Sequence, residues 1–157
     1  MTTYTAQAVL PAVLKELRDT DDAGRRRVPL VDDEGGAPLR CCLRRSEPGE
    51  RIVLVSYAPL RRWAAESGAD PGAYDEQGPV FVHAEECAGP DGGLPFTNAH
   101  RTVRRYSADG RILGGRLVAA PAEFDDAFDE AFADPEVALV HVRAVEYGCF
   151  LYEVRRP

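Results

Sequence analysis

Two stretches near the C-terminus constrain the fold most. Val137–Arg143 and Cys149–Arg155 each alternate in character, and only Ala144–Gly148 lies between them. They read as an antiparallel hairpin. Pairing Arg143 with Cys149 places His141 opposite Leu151 and Leu139 opposite Glu153. Successive strand side chains point to opposite faces. One face then holds Ala138, Val140, Val142, Phe150, Tyr152 and Val154, and the other mixes Leu139, His141, Arg143, Cys149, Leu151 and Glu153. A slip of one residue would mix apolar and polar side chains on both faces. The apolar face needs a covering layer.

Pro121–Ala133 supplies one. Phe124, Phe128 and Phe132 recur every four residues, with Ala127 and Ala131 beside them and the acidic residues mostly elsewhere. That is an amphipathic helix whose stripe is core. A second helix falls within residues 6–18 and starts near Pro11. Thr102–Tyr106 and Arg111–Val118 flank Ser107-Ala108-Asp109-Gly110, a hairpin signal. Pro38–Arg45 and Arg51–Tyr57 read as another hairpin around residues 46–50, and Pro79–Ala84 as a strand. Residues 19–38 read as loop with a short extended piece at Val28–Val31. Residues 60–78 are mostly loop, with a short helix starting at Pro59, and 85–99 are Gly/Pro-rich loop. Gly114-Gly115 suits a bulge. The regular strand–helix alternation of parallel sheets is missing. The expectation is an α+β fold: one domain over residues 1–157, a mostly antiparallel sheet and one or two packed helices.

The chain has 157 residues, enough for one self-sufficient core. Its net charge is −7, and an acidic surface repels phosphate backbones, so no nucleic acid is expected as partner. No apolar run reaches membrane-spanning length, and no membrane partner is expected. Lys15 is the lone lysine among 19 basic residues, a bias that fits a GC-rich bacterial genome. The start, MTTYTAQAVLPAVLKELRD, lacks the pattern of a signal peptide. A cytoplasmic location follows as expectation, with Cys41, Cys42, Cys87 and Cys149 reduced.

The polar side chains of the mixed face are the site candidates. His141, Arg143 and Cys149 share it, and His83 with Cys87 would join them if the 79–84 strand lies near the hairpin. Three chemistries fit. Cys87 or Cys149 could be a nucleophile with His83 or His141 as base. Two histidines and two cysteines could bind zinc. Arg143, with Arg44 lining the same side, could clamp a small anionic ligand. His-x3-Cys is no standard zinc spacing and no C-x2-C pair occurs, so no metal ligands are assigned and the cofactor stays unknown. Cys41 and Cys42, as strand neighbours, would face opposite ways, so at most one joins a site. Glu85 or Glu86 could orient an imidazole. Phosphate-loop, dinucleotide, zinc-protease and nucleophile-elbow motifs are missing.

Four segments carry a resemblance: PLRCCLR (38–44), YDEQGPVFVHAEEC (74–87), RRYSADGRI (104–112) and VHVRAVEYGCFLYEV (140–154). With them the chain resembles, over about residues 38–156, the bacterial family named domain of unknown function 1203. The resemblance implies that Cys42, Gly78, Pro79, His83, Cys87, His141, Arg143 and Cys149 stand at motif positions. It brings no assigned activity. Ala144-Val145 departs from the Asn-containing form of the motif. The expected function is binding of a small, anionic molecule, or a small enzyme, at a His/Cys/Arg site on a sheet face. The alternative is a non-catalytic interaction module, a homodimer through a sheet edge or apolar patch.

Overall fold

The computed structural model describes residues 4–97 and 100–157. The last two residues of the 85–99 loop lie outside that description. The chain runs α1 (Pro11–Asp19), β1 (Leu30–Asp32), β2 (Glu50–Tyr57), α2 (Pro59–Ser67), β3 (Gly78–His83), β4 (Arg101–Ser107), β5 (Ile112–Val118), α3 (Phe124–Ala133), β6 (Val137–Ala144) and β7 (Phe150–Arg155). Two sheets form, both antiparallel: β1-β2-β3 and β5-β4-β6-β7. This is an α+β single domain. Among the described residues no helix is long and apolar enough to cross a membrane.

Both N-terminal helices begin at proline, whose fixed φ suits the first helical turn and whose missing N–H is not needed there. α2 ends on Gly68, whose φ of 78° is cheap only for glycine. The Phe stripe of α3 buries Phe124 and Phe128 against Val103, Val140, Val142, Tyr152 and Val154 of the four-stranded sheet. The other face of that sheet carries Tyr106 and Leu139 under Leu60 and Trp63 of α2. A second large core packs Leu14 and Leu17 of α1 against Ile52, Val53, Val80 and Val82.

The Asp-Gly hairpin joins β4 to β5 as expected, with Gly110 at φ 85° and its N–H on the Ser107 carbonyl. A bulge sits opposite Arg105–Tyr106, and a Cβ on Gly114 would collide with the Arg105 guanidinium. The final hairpin also forms, but in a different register. His141 pairs with Glu153 and Val142 with Tyr152, and then Arg143 pairs with Phe150. Leu151 is the extra residue of a bulge. Leu151 and Tyr152 therefore both join the α3 core, and Phe150 turns to the opposite core. Period-two alternation has no way to register the insertion.

The expected hairpin of 38–45 with 51–57 does not form. β2 pairs instead with β1 and β3. Residues 38–45 close on themselves, with the Leu39 N–H on the Arg44 carbonyl and the Leu43 N–H on the Leu39 carbonyl. Leu43 takes a φ of 57° to do so, and its side chain is buried. Burying Leu39, Cys41, Cys42 and Leu43 together is possible in a turn but not on one face of a strand.

Asp21 anchors the loop after α1. Its side chain is fully buried and accepts hydrogen bonds from the N–H groups of Ala23, Arg25 and Ser56 and from Arg27. Burial raises its pKa, but these donors outweigh burial and bring it to about 2. Asp21→Ala is expected to lower unfolding free energy by about 2–4 kcal/mol at pH 7, by orphaning buried donors. The carboxyl titrates lower folded than unfolded, so its contribution is complete above its ordinary value of 3.8 and fades as pH falls toward 2. Urea unfolding of both proteins at several pH values checks this: the gap should narrow across that window.

Candidate metal centre

The 38–45 turn does what a strand would not: it aims Cys41 and Cys42 the same way. Their Sγ atoms lie 4.0 Å apart. His83, the last residue of β3, brings its Nδ1 to 3.4 Å from Cys41 Sγ and 3.9 Å from Cys42 Sγ. Cys87 completes the group from the loop after β3. The four ligand atoms of Cys41, Cys42, His83 and Cys87 all lie within 4.8 Å of one another. Cys41, Cys42 and His83 are buried, and Cys87 is half-buried.

The surroundings orient each donor. His83 Nε2 lies 2.5 Å from the Glu50 carboxylate, at the start of β2. Glu50 is itself held by the Glu47 N–H at 2.7 Å and contacted by Arg44 at 3.5 Å. These bonds, that of Glu47 first and that of His83 next, hold its carboxyl below the usual range. The His83 backbone N–H donates to Cys41 Sγ at 3.2 Å. The Cys41–Cys42 hydrogen bond, helped by the Arg44 N–H and guanidinium, lowers the Cys42 pKa, and the same bond with burial raises that of Cys41. Arg18 of α1 pins the following loop by donating to the carbonyls of His83 and Glu85, each at 2.9 Å.

The cluster separates two clefts. One, of about 1040 Å³, runs between residues 5–18 and residues 85–90, and its wall includes Val9, Leu14, Lys15, Cys41 and Cys87. The other, of about 350 Å³, is lined by Arg44, Glu50, Arg51, His83, Glu86 and Cys87. Cys87 faces both.

The five residues grouped from the sequence do not share one site. His83 and Cys87 meet each other, with Arg44 beside them, but β3 belongs to the other sheet from the final hairpin. His141 lies wholly buried between the rings of Tyr106 and Phe150, at 4.8 and 4.9 Å, with Nε2 3.0 Å from Glu153. Arg143 donates to the Gly148 carbonyl and lies 3.6 Å from Glu76. Cys149 is half-buried and lines a cleft of about 130 Å³ with Arg143 and Glu76. Sequence reading marks Cys42 only as a motif position of the resembled family, allows at most one of Cys41 and Cys42 in a site, and misses Glu50. As strand neighbours the two cysteines would face opposite ways, and Glu50 reaches His83 only through the β2–β3 pairing. Glu85 forms a surface ion pair with Arg51 and does not orient the imidazole.

Burial, with Arg143 and Arg104 close by, lowers the pKa of His141 despite the Glu153 carboxylate. The unfolded imidazole takes its proton at about 6.5 and the folded one only at lower pH, so stability should decline as pH falls through that value. His141→Gln keeps a donor for Glu153 and removes the titration. Urea midpoints from pH 7.5 to 5.5, each read against the variant, should show the parent losing more; equal slopes would reject a neutral buried His141.

The sequence model of one protein family, described as "Protein of unknown function (DUF1203)", matches residues 36–156. No curated protein and no solved structure matches the chain.

Proposed function

The chain belongs to the DUF1203 family, and we propose that this member is a small-molecule-binding domain whose working site is the cleft between α1 and the 85–90 loop. The observation that carries this reading is the cleft itself: about 1040 Å³, opening onto the Cys41 and Cys87 thiols. Ligand sites are concave, mostly apolar and furnished with a few placed polar groups. Here the apolar wall comes from Val9, Leu10, Leu14 and neighbouring alanines, and the polar groups include the cysteines, Gln7, Lys15, Arg18, Glu85 and Glu86. Glu85 is paired to Arg51 and Arg18 is held by backbone carbonyls, which leaves Lys15 as the cation facing the cleft. An apolar molecule with one anionic group fits that set, since Lys15 stands at the wall while Arg143 is already occupied by Glu76 and Gly148. His141, Arg143 and Cys149 take no part in this site.

The test uses 8-anilino-1-naphthalenesulfonate, an aromatic anion, titrated by fluorescence. Saturable one-site binding is expected. Lys15→Glu should weaken it about five- to tenfold, the scale of about one kcal/mol of charge interaction. Ala12→Trp, at an exposed position of α1 on the cleft wall, should abolish it with the urea midpoint kept. Non-saturating fluorescence, or binding indifferent to both changes, would reject the cleft as the site.

A further inference from the structure

We propose that Cys41, Cys42, His83 and Cys87 hold one Zn²⁺ ion. The inference goes beyond the cleft's ligand and stands without it.

Spacing is the first argument. Tetrahedral zinc with Zn–S of ~2.3 Å and Zn–N of ~2.0–2.1 Å has S···S edges of about 3.8 Å and S···N edges of about 3.5 Å. The Cys41–Cys42 edge is 4.0 Å, and the His83 Nδ1 edges are 3.4 and 3.9 Å. All four donors fall within 4.8 Å of one another. Hydrogen bonding alone accounts poorly for this convergence. Nδ1 has one lone pair or one proton, enough for a single thiol, yet two sulfurs crowd it and a third stands within reach. One cation at the centre satisfies all four at once.

The donors are also prepared for a cation. Glu50 accepts the Nε2 proton of His83, which leaves the Nδ1 lone pair facing the sulfurs. The His83 N–H donates to Cys41 Sγ, a bond that favours a thiolate. Arg44, beside Cys42 and Glu50, offsets the negative charge that three thiolates and one carboxylate would gather there. Thiolate and imidazole donors at tetrahedral spacing select zinc over magnesium or calcium. Each thiol loses its proton on ligation, so binding releases protons and weakens at low pH. With four protein donors no position is left open for water, which marks a structural rather than a hydrolytic centre. The ion would tie the 38–45 turn, the end of β3 and the 84–90 loop into one corner.

The decisive experiment titrates the reduced, metal-free protein with Co²⁺, followed by Zn²⁺. One equivalent of Co²⁺ should give the visible d–d bands of a tetrahedral site and near-ultraviolet thiolate-to-metal charge transfer. Zn²⁺ should then displace it. Cys87→Ser, on the half-buried loop, should abolish or strongly weaken uptake, while Cys149→Ser should bind like the parent. Glu50→Gln should lower zinc affinity by about 10- to 100-fold, the usual effect of losing the carboxylate behind a metal-bound histidine. Zinc should raise the thermal midpoint of the parent and leave that of Cys87→Ser where it was. If Cys41→Ser or Cys42→Ser does not fold, Cys87→Ser and Glu50→Gln still decide. The proposal fails if the reduced protein takes up no stoichiometric Co²⁺ or Zn²⁺ at micromolar concentration. It also fails if Cys87→Ser and Cys149→Ser bind alike. Dye binding in the cleft is read separately, so loss of one result leaves the other standing.

Discussion

One buried guanidinium holds the two halves together. Arg40 sits at the tip of the cysteine turn, almost fully enclosed, and donates to the Phe150 carbonyl at 2.8 Å and to the Pro38 carbonyl at 2.5 Å. Phe150 lies beside the bulge where β7 passes from one core to the other. The Arg40 N–H donates to the Phe81 carbonyl of β3, and the Arg40 carbonyl accepts from the Val9 N–H just before α1. Burial lowers the Arg40 pKa to about 10, which leaves it charged at neutral pH. A buried charge with carbonyl partners is expensive to leave unpaired, so the turn, the bulge and β3 can shift only together. The placement of Cys41 and Cys42 against His83 follows from that linkage.

The bulge at Leu151 is the complementary half of the arrangement. A regular β7 would send Phe150, Tyr152 and Val154 to the same core. The inserted residue instead gives Leu151 and Tyr152 to the α3 side and Phe150 to the side shared with Cys41, Cys42 and Val80. One hairpin thereby seals two cores. Phe150 also caps the buried His141 ring, whose Nε2 is taken by Glu153 from the shifted pairing. The irregular register brings this polar pair together, while the buried His141 Nδ1 keeps no hydrogen-bond partner.

These features mark where sequence reading works and where it stops. The Phe stripe of α3, the prolines that open α1 and α2, and the Asp-Gly hairpin are local signals, and each element forms where its signal lies. The α+β class was legible for the same reason. The face assignment of β6 holds for Val140 and Val142, which alternate toward α3, but not for Ala138, which packs on the opposite core where the β4–β6 pairing shifts. The candidate site depends on contacts far apart in sequence. Glu50 meets His83 across a strand pairing, and Arg18 reaches the 83–85 carbonyls from a helix. Cys41 and Cys42 converge in a turn that closes through Leu43 in a left-handed backbone, which propensity disfavours for leucine. His83 and Cys87 stand four apart at a strand end and could be seen as neighbours; the turn that brings both Cys41 and Cys42 to them could not.

The arginine excess has a structural role in several places. Arg18, Arg40, Arg101 and Arg156 all donate to backbone carbonyls at loop and strand junctions. A planar fork with several donors suits orphan carbonyls where the backbone leaves regular pairing. Such junctions are numerous here because so much chain lies between the strands. Arg18 is the instance that bears on the site. Its two bonds fix the chain from His83 to Glu85, which leaves only a short span before Cys87. Three donors of the cluster thus rest on the turn and the sheet, while the fourth hangs from a pinned loop that also walls the larger cleft. An ion bound there would hold Cys87 and the cleft wall in one geometry. By linkage, anything that prefers the cleft in that geometry would bind the ion-loaded protein more tightly, and would hold the ion more tightly in return.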